Sequence, residues 1–197
     1  MAATVTAPVA EAVTMPRYRF SVEEFELMHE VGIFNEDSPV ELIRGEIVEM
    51  AAQGTSHVYC VEAVVGIVHE AVGRTLVVTS QSSNLLPNRS MPEPDLAVAV
   101  RRGRKALPSP PDILLIGEVS DSSLAYDRRE KLSLYAEADI PEAWIFNLVD
   151  VQIARYTEPR DGRYHQVAAA GRGERLASTT VPELVFDADD VFGLGEE

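Results

Sequence analysis

The chain has 197 residues, of which 46% are hydrophobic and 25% are charged, and its formal net charge is −15. This composition is ordinary for one globular domain, and no apolar run approaches the roughly 20 residues of a membrane-spanning helix. The acidic balance argues against broad, non-specific affinity for nucleic acid, which needs clustered lysine and arginine. A single cysteine, Cys60, excludes an internal disulfide, so we expect a cytoplasmic protein.

The N-terminal segment, residues 1–16, lacks the basic start and the long apolar core of a signal peptide, so we expect a flexible tail. Residues 17–197 are then expected to form a single domain.

The first predicted element is a helix that begins at Ser21 and runs to about Gly32. Ser21 and Glu24 have the spacing of a capping box, and Phe20 and Phe25 have that of a hydrophobic staple.

The rest of the chain is predicted to alternate strands and helices. The order is a hairpin at VELIRGEIVEM turning near Arg44-Gly45, a helix over 54–73 capped by Thr55 or Ser56, short strands at TLVVTSQ and NLLP, strands at DLAVAV and DILLIGEV, a helix beginning between Leu124 and Asp127, a strand at EAWIFNL, and a hairpin turning at Asp161-Gly162. This order predicts helices packed on one mixed sheet, an α/β or α+β class.

Two carboxylates lie on neighbouring apolar runs, where charged residues are uncommon unless they are paired or bind something. Strand alternation places Asp95 on a face with small alanines, and Glu118 on a face with Leu114 and Ile116. If the strands are neighbours, the two carboxylates repel unless a cation such as Mg²⁺ lies between them. The alternative is that Asp95 closes a turn and Glu118 pairs with an arginine.

Lysine is rare in this chain. Of the 17 lysines and arginines, only Lys105 and Lys131 are lysines. Lys131 follows the Glu118 strand on a predicted helix, and lysine is a compact charge suited to orienting or deprotonating a water. The alternative is a surface pair with Asp127 four residues earlier, worth about 0.3–0.5 kcal/mol.

The ordered motifs of the chain resemble those of a known family. The motifs are ELIRGEI at 41–47, PEPD at 92–95, EVSDSS at 118–123, YDRREKLSLY at 126–135 and DIPEAWI at 139–145. The set resembles the bacterial restriction-endonuclease-like branch of the PD-(D/E)xK nuclease superfamily, over about residues 18–190. The resemblance implies an α/β fold, with a central mixed sheet flanked by helices and extra β-hairpins. It also implies metal-dependent cleavage of phosphodiester bonds in DNA, leaving 5′-phosphate and 3′-hydroxyl ends.

The resemblance also assigns site residues. Asp95 and Glu118 match the ligands of Mg²⁺ or Mn²⁺ and, with Lys131, form the catalytic set. The superfamily has lysine two residues after the glutamate, where this chain has Ser120. The closer branch places a lysine on the following helix, at the position of Lys131.

Additional candidates surround this set. Glu41 matches an upstream acidic position and is either a ligand of a second metal or a half-exposed hairpin residue. Gln81 is expected near the same space. His57 is interpreted as a helix cap, with phosphate binding as the alternative. Packing is the role expected of Tyr135, Cys60 and Trp144.

The candidates for contact with the DNA backbone follow the Asp95 strand: Arg101, Arg102, Arg104 and Lys105. The alternative is a solvated loop. Two other functions stay open, namely a catalytically silent dimeric binding module of the same fold and a phosphodiesterase acting on RNA or small nucleotides. The net charge fits both. A nuclease that cuts two strands would suit a homodimer with two sites.

Overall fold

The computed structural model describes residues 15–35, 38–102 and 108–195. In chain order, its helices and strands are α1 (Val22–Glu30), β1 (Val40–Ile43), β2 (Glu46–Glu49), α2 (Thr55–Val72), β3 (Leu76–Thr79), β4 (Leu96–Val100), a 3₁₀ turn (Pro110–Asp112), β5 (Ile113–Ser120), α3 (Leu124–Tyr126), a π-helical turn (Asp127–Lys131), α4 (Leu132–Glu137), β6 (Glu142–Asn147), β7 (Gln152–Arg160), β8 (Arg163–Ala170), β9 (Arg175–Ala177), β10 (Val185–Asp187) and α5 (Ala188–Phe192). Most of the predicted N-terminal tail, residues 1–14, lies outside the described residues. Within the described part of the chain, no helix is long and apolar enough to cross a membrane.

Six strands form a mixed central sheet in the spatial order β3-β4-β5-β6-β7-β8. Only the β5–β6 pair is parallel. A parallel pair needs a crossover connection, which the helical segment from α3 to α4 supplies. The strands β1–β2 and β9–β10 form two separate antiparallel pairs. These features confirm the α/β class with a central mixed sheet and extra hairpins.

Two apolar layers cover the two faces of the sheet. On one face, α2 and α5 pack their valines against a fully buried Trp144. On the other face, α4 packs Leu134 and Tyr135 against Ile116 and Ile145. Cys60 and Trp144 are core residues, as predicted. Because both faces are covered, β5 and β6 read as near-continuous apolar runs, and a carboxylate within them stands out.

The predicted start and turns agree with the structure. Ser21 and Glu24 form the capping box of α1, which ends at Glu30, two residues before the expected end. The β1–β2 and β7–β8 hairpins turn at Arg44-Gly45 and Asp161-Gly162, where all four residues have positive φ. Such φ pairs are typical of type I′ hairpin turns.

Three local predictions are wrong. The N-cap of α2 is the extended Gly54, without a side-chain cap, so Thr55 and Ser56 belong to the first helical turn. The segment NLLP forms only one isolated bridge, from Leu86 to Ser90, and its proline cannot donate to a ladder. In β5 the register shifts by one residue, because Val98 pairs with Leu115 and Ala99 with Ile113.

That shift is a β-bulge, and it places Leu114 in the layer of α2 rather than on the face of Ile116. The predicted face shared by Leu114, Ile116 and Glu118 is therefore wrong at Leu114.

Candidate active site

Asp95 is the first carboxylate of the site, and donors from two other segments hold it. It is buried and lies directly before β4. The backbone N–H of Val119 donates to Oδ2 at 2.8 Å, and the side-chain amide of Gln81 donates to Oδ1 at 3.3 Å. Because β4 and β5 are antiparallel neighbours, the start of β4 meets the end of β5. The backbone of β5 therefore orients Asp95.

Glu118 is the second carboxylate, and the described residues occupy only one of its oxygens. Oε1 accepts a hydrogen bond from the Tyr135 hydroxyl, and Lys131 Nζ lies 3.3 Å from it. No hydrogen bond or ion pair from the described residues reaches Oε2. Burial raises the pKa of Glu118 to about 8, against the opposing effect of Lys131, and the charge of Asp95 adds to the increase. Oε2 is thus available to a ligand in the pocket. The negative charge around this atom is poorly compensated.

Lys131 faces the carboxylates, not the solvent. Its Nζ donates to Glu41 Oε1 at 2.5 Å, and the Lys131 side chain is only 6% exposed. Burial by itself would lower the pKa of Lys131, but the negative charges of Glu118 and Glu41 hold it above the usual range. Glu41 is the nearer of the two carboxylate partners, at 2.5 Å against 3.3 Å for Glu118. The surface pair with Asp127 and the half-exposed position of Glu41 are therefore wrong alternatives.

Glu41 joins the site to two distant segments. It is 2% exposed on β1, and its Oε1 also accepts from the backbone N–H of Glu93 at 2.7 Å. Glu93 belongs to the PEPD segment that carries Asp95. Glu41 therefore ties the β1–β2 hairpin to both the Asp95 segment and the helix of Lys131.

The π-helical turn Asp127–Lys131 sets the direction in which Lys131 points. Buried Asp127 accepts hydrogen bonds from the hydroxyls of Ser120 at 2.7 Å and Ser123 at 2.6 Å. These bonds tie the start of the turn to the end of β5. Ser120, which occupies the usual lysine position of the superfamily, thus anchors the helix that carries Lys131. Single π turns are frequent at functional sites.

His57 was interpreted as a helix cap, but α2 has no side-chain cap and His57 lies beside Asp95 instead. Its Nε2 lies 3.3 Å from Asp95 Oδ2, and the side chain is 13% exposed. Burial would lower the pKa of His57, but the hydrogen bond to Asp95 raises it above the ordinary value. The buried Nδ1 has no hydrogen-bond partner within the described part of the chain. His57 lies far from the other site residues in the sequence, and no motif links its helix to them.

Tyr135 was expected to pack, and it does so at 0% exposure, yet its hydroxyl also bonds Glu118. Its spacing of four residues from Lys131 places both side chains on one helix face. That spacing is the signal that could have identified it as a site residue.

These side chains line one pocket of about 250 Å³, which we call the catalytic pocket. Of the described residues, seven acidic ones contribute to its walls: Glu41, Glu49, Glu93, Asp95, Glu118, Asp121 and Asp127. Lys131 is the one lysine or arginine among the described residues that line it. Among the residues that the structure describes, no three His, Cys, Asp or Glu side chains are arranged to hold a metal ion. This part of the chain therefore offers at most a carboxylate pair.

The structure places neither Arg101 nor Arg102 at this pocket. Arg101 and Arg102 follow β4 at the end opposite Asp95, about 20 Å away at ~3.3 Å per residue. Arg101 donates to the carbonyl of Leu76, and Arg102 pairs with Asp112. Arg104 and Lys105 lie outside the described residues.

Comparisons with known proteins agree with this architecture. Residues 22–189 match the model of the Uma2 family, described as putative restriction endonuclease. The crystal structure of a putative nuclease belonging to DUF820 from Anabaena variabilis is similar, with a TM-score of 0.65 and 14% sequence identity. The alignment covers 88% of this chain and 98% of that chain, and at this identity it shows the fold.

A search of the curated proteins finds no significant match. The family model spans nearly the whole chain, which includes every residue of the catalytic pocket. The chain therefore belongs to the Uma2 family of putative restriction endonucleases, as its motifs predict, and this membership supports a nuclease-like function.

Proposed function

We propose that the protein is a metal-dependent nuclease that hydrolyses phosphodiester bonds in DNA, with Asp95, Glu118 and Lys131 as its catalytic residues. The observation that carries the proposal is the position of Lys131. A buried lysine touches Glu118 in a pocket that Asp95 also lines.

The donor atoms fit Mg²⁺ or Mn²⁺. Mg²⁺ in phosphoryl-transfer sites takes one or two carboxylates and completes its shell with water and phosphate oxygens. Asp95 and Glu118 would supply the two carboxylates. No described residue forms a hydrogen bond or ion pair with Oε2 of Glu118. Glu41 uses Oε1 for Lys131 and for the backbone, which favours a role in orienting the lysine over a role as ligand. The chemistry supplied by such an ion is polarisation of the phosphate and acidification of water.

The residues of the chain then have separate roles in the reaction. Lys131 stays protonated, so it donates hydrogen bonds and positive charge to the phosphate oxygens and does not act as a base. Val119 and Gln81 hold Asp95 in place, while Tyr135 holds Glu118. A water attacks phosphorus in line, the bond from phosphorus to the 3′ sugar oxygen breaks, and the proton that the water loses passes through solvent to that oxygen.

Cleavage of supercoiled plasmid tests the proposal. Wild-type protein should convert the plasmid to open-circular or linear DNA with Mg²⁺ and not with EDTA. Asp95→Asn and Lys131→Met should each lower the rate by about 100-fold or more, as loss of one transition-state contact does. The matched control is Glu158→Gln, which changes an exposed carboxylate on β7 that pairs with Arg160 and should leave the rate unchanged. Equal rates in all four proteins would contradict the assignment of Asp95 and Lys131 as catalytic residues.

A second candidate is a phosphodiesterase acting on small nucleotides or RNA. The walls of the catalytic pocket favour it, since seven acidic residues face one lysine and a long DNA backbone would meet little positive charge. A panel of plasmid, RNA and cyclic nucleotides separates the two candidates. If none is cleaved and the fold is intact, a catalytically silent module is the better account. A homodimer stays a prediction, measured by sedimentation equilibrium.

A further inference from the structure

A second cavity of about 440 Å³ lies beside the catalytic pocket. Its walls include Thr55, Ser56 and Tyr59 from the first turns of α2, Asp121 after β5, and the apolar side chains of Leu148 and Phe192. The proposed catalytic residues make no use of this cavity.

The two cavities are adjacent. Asp121 lines both of them. Gly54 and His57 line the catalytic pocket, whereas Thr55 and Ser56, which lie between them in the chain, line the second cavity. The first turn of α2 therefore lies between the two cavities, and their walls meet at Asp121. A molecule whose phosphate lies in the catalytic pocket can therefore extend into the second cavity.

The chemistry of the walls selects the part of a nucleotide that fits. No lysine or arginine among the described residues lines the second cavity, so it is a poor site for a further phosphate. Tyr59 is 43% exposed and offers an aromatic face beside apolar side chains. The Asp121 carboxylate can accept hydrogen bonds from an amino group. An uncharged aromatic ring with polar edges matches these features.

The position of Tyr59 is set by a glycine. Gly193 has φ +65°, and a Cβ atom at this residue would lie 2.9 Å from the Tyr59 hydroxyl oxygen. The absence of a side chain at Gly193 therefore lets the tyrosine lie against the end of α5. A ring fixed in this way loses little freedom when a base stacks on it.

We propose that the second cavity binds the nucleobase of a nucleotide next to the scissile phosphate, with Tyr59 as the stacking platform and Asp121 as a hydrogen-bond acceptor for the base edge. The inference rests on the proposed nuclease function. It predicts that the substrate is an unpaired or locally unpaired strand, because a base inside a duplex cannot reach a side cavity.

The test compares a single-stranded oligonucleotide with an abasic oligomer of the same length, which keeps the sugar-phosphate backbone and lacks the bases. Cleavage with Mg²⁺ and binding by fluorescence anisotropy in EDTA are measured for wild type and for Tyr59→Ala. The variant should lose about 5- to 100-fold in affinity and in kcat/KM for the intact strand, the usual effect of removing one stacking contact. It should act on the abasic strand as wild type does.

Controls address folding and ring chemistry. Tyr59→Phe keeps the aromatic face and should behave like wild type. Tyr18→Ala removes another exposed tyrosine, which lines neither cavity, and should change nothing. Ser56→Trp fills the cavity from the same helix turn while Tyr59 stays, and should also abolish the preference for the intact strand.

Failure of the nuclease function and failure of the base site give different results. If wild type cleaves neither strand, the nuclease function fails, and the anisotropy comparison still shows whether the bases are bound. If wild type cleaves the intact strand but Tyr59→Ala weakens both substrates equally, or neither, the base site is overturned.

Discussion

At the scale of single residues, the site is a group of buried carboxylates around one buried lysine. Lys131 contacts both Glu41 and Glu118, and each of these carboxylates is at most 5% exposed. Removing one partner of a buried ion pair leaves a charge without compensation, which costs more than the pair contributes. Stability and activity therefore depend on the same lysine, and mutations can separate them.

Lys131→Met should lower the free energy of unfolding by about 3–5 kcal/mol, because Glu41 is left charged and buried. Adding Glu41→Gln should recover most of that stability and none of the cleavage activity. Urea unfolding of the single and double variants measures the effect. Arg175→Met breaks an exposed pair with Asp187 and should cost about 1 kcal/mol or less. A double variant no more stable than Lys131→Met would contradict this account.

Tyr135→Phe should weaken Mn²⁺ binding by about 10-fold without loss of melting temperature, because it removes the hydroxyl that orients Glu118 and keeps the ring. Calorimetric titration measures the affinity. Tyr164→Phe is the matched control, since its partly buried hydroxyl donates to the carbonyl of Ile140, away from the catalytic pocket. Equal affinities in the two variants would show that the Tyr135 hydroxyl is not a positioning group.

At the scale of secondary structure, the π-helical turn is the element that delivers the lysine. Asp127 bonds Ser120 and Ser123 at the start of the turn, while Lys131 and Tyr135 reach Glu118 from its end. An α-helix advances by about 100° per residue. If the same residues were wound as an ordinary α-turn, Lys131 and Tyr135 would be rotated by about that angle relative to Asp127. The extra residue of the turn therefore keeps both groups on one face.

Insertion of one alanine after Arg129, an exposed residue within the turn, should rotate Lys131 by about 100° relative to Asp127 and turn it away from Glu118. We expect cleavage to fall by about 100-fold or more with a near-native circular dichroism spectrum. The control, Arg129→Ala, leaves the number of residues in the turn unchanged and should remain active. An active insertion variant would mean that the turn geometry is irrelevant.

At the scale of the whole molecule, Cys60 belongs to the apolar layer between α2 and the sheet and lies in the wall of the second cavity, with no exposed surface. The residue is fully buried, and burial raises the pKa of its thiol to about 12. The thiolate is the reactive form, so at pH 8 to 9 the folded protein holds almost none of it.

Alkylation of Cys60 by iodoacetamide at pH 8.5 should therefore be at least about 100-fold slower in the folded protein than in denaturant, where the thiol regains its ordinary pKa near 8.5. Mass spectrometry of labelling time courses gives the rates. In the folded protein the rate should follow the opening of the core, and it should rise in a destabilised variant such as Lys131→Met. Fast labelling of the native protein would contradict the buried position of Cys60.

The order of elements and the two hairpin turns could be predicted from local patterns, because each depends on nearby residues. Ser21 with Glu24 and Asp161 with Gly162 are examples. The bulge at Leu114 and the absent strand at NLLP could not, because they depend on which strand pairs with which and in what register.

The sequence by itself determined which groups this protein can use: two carboxylates at neighbouring apolar runs, a rare lysine after them, and motifs that specify the family. Only the tertiary structure decided where those groups meet. It directs Lys131 towards Glu41 and Glu118 and brings His57 to Asp95, while Arg101 and Arg102 lie at the far end of β4. The physical reason is that the direction of a side chain depends on helical winding, strand register and buried charge pairing, and each of these requires contacts between residues distant in the chain.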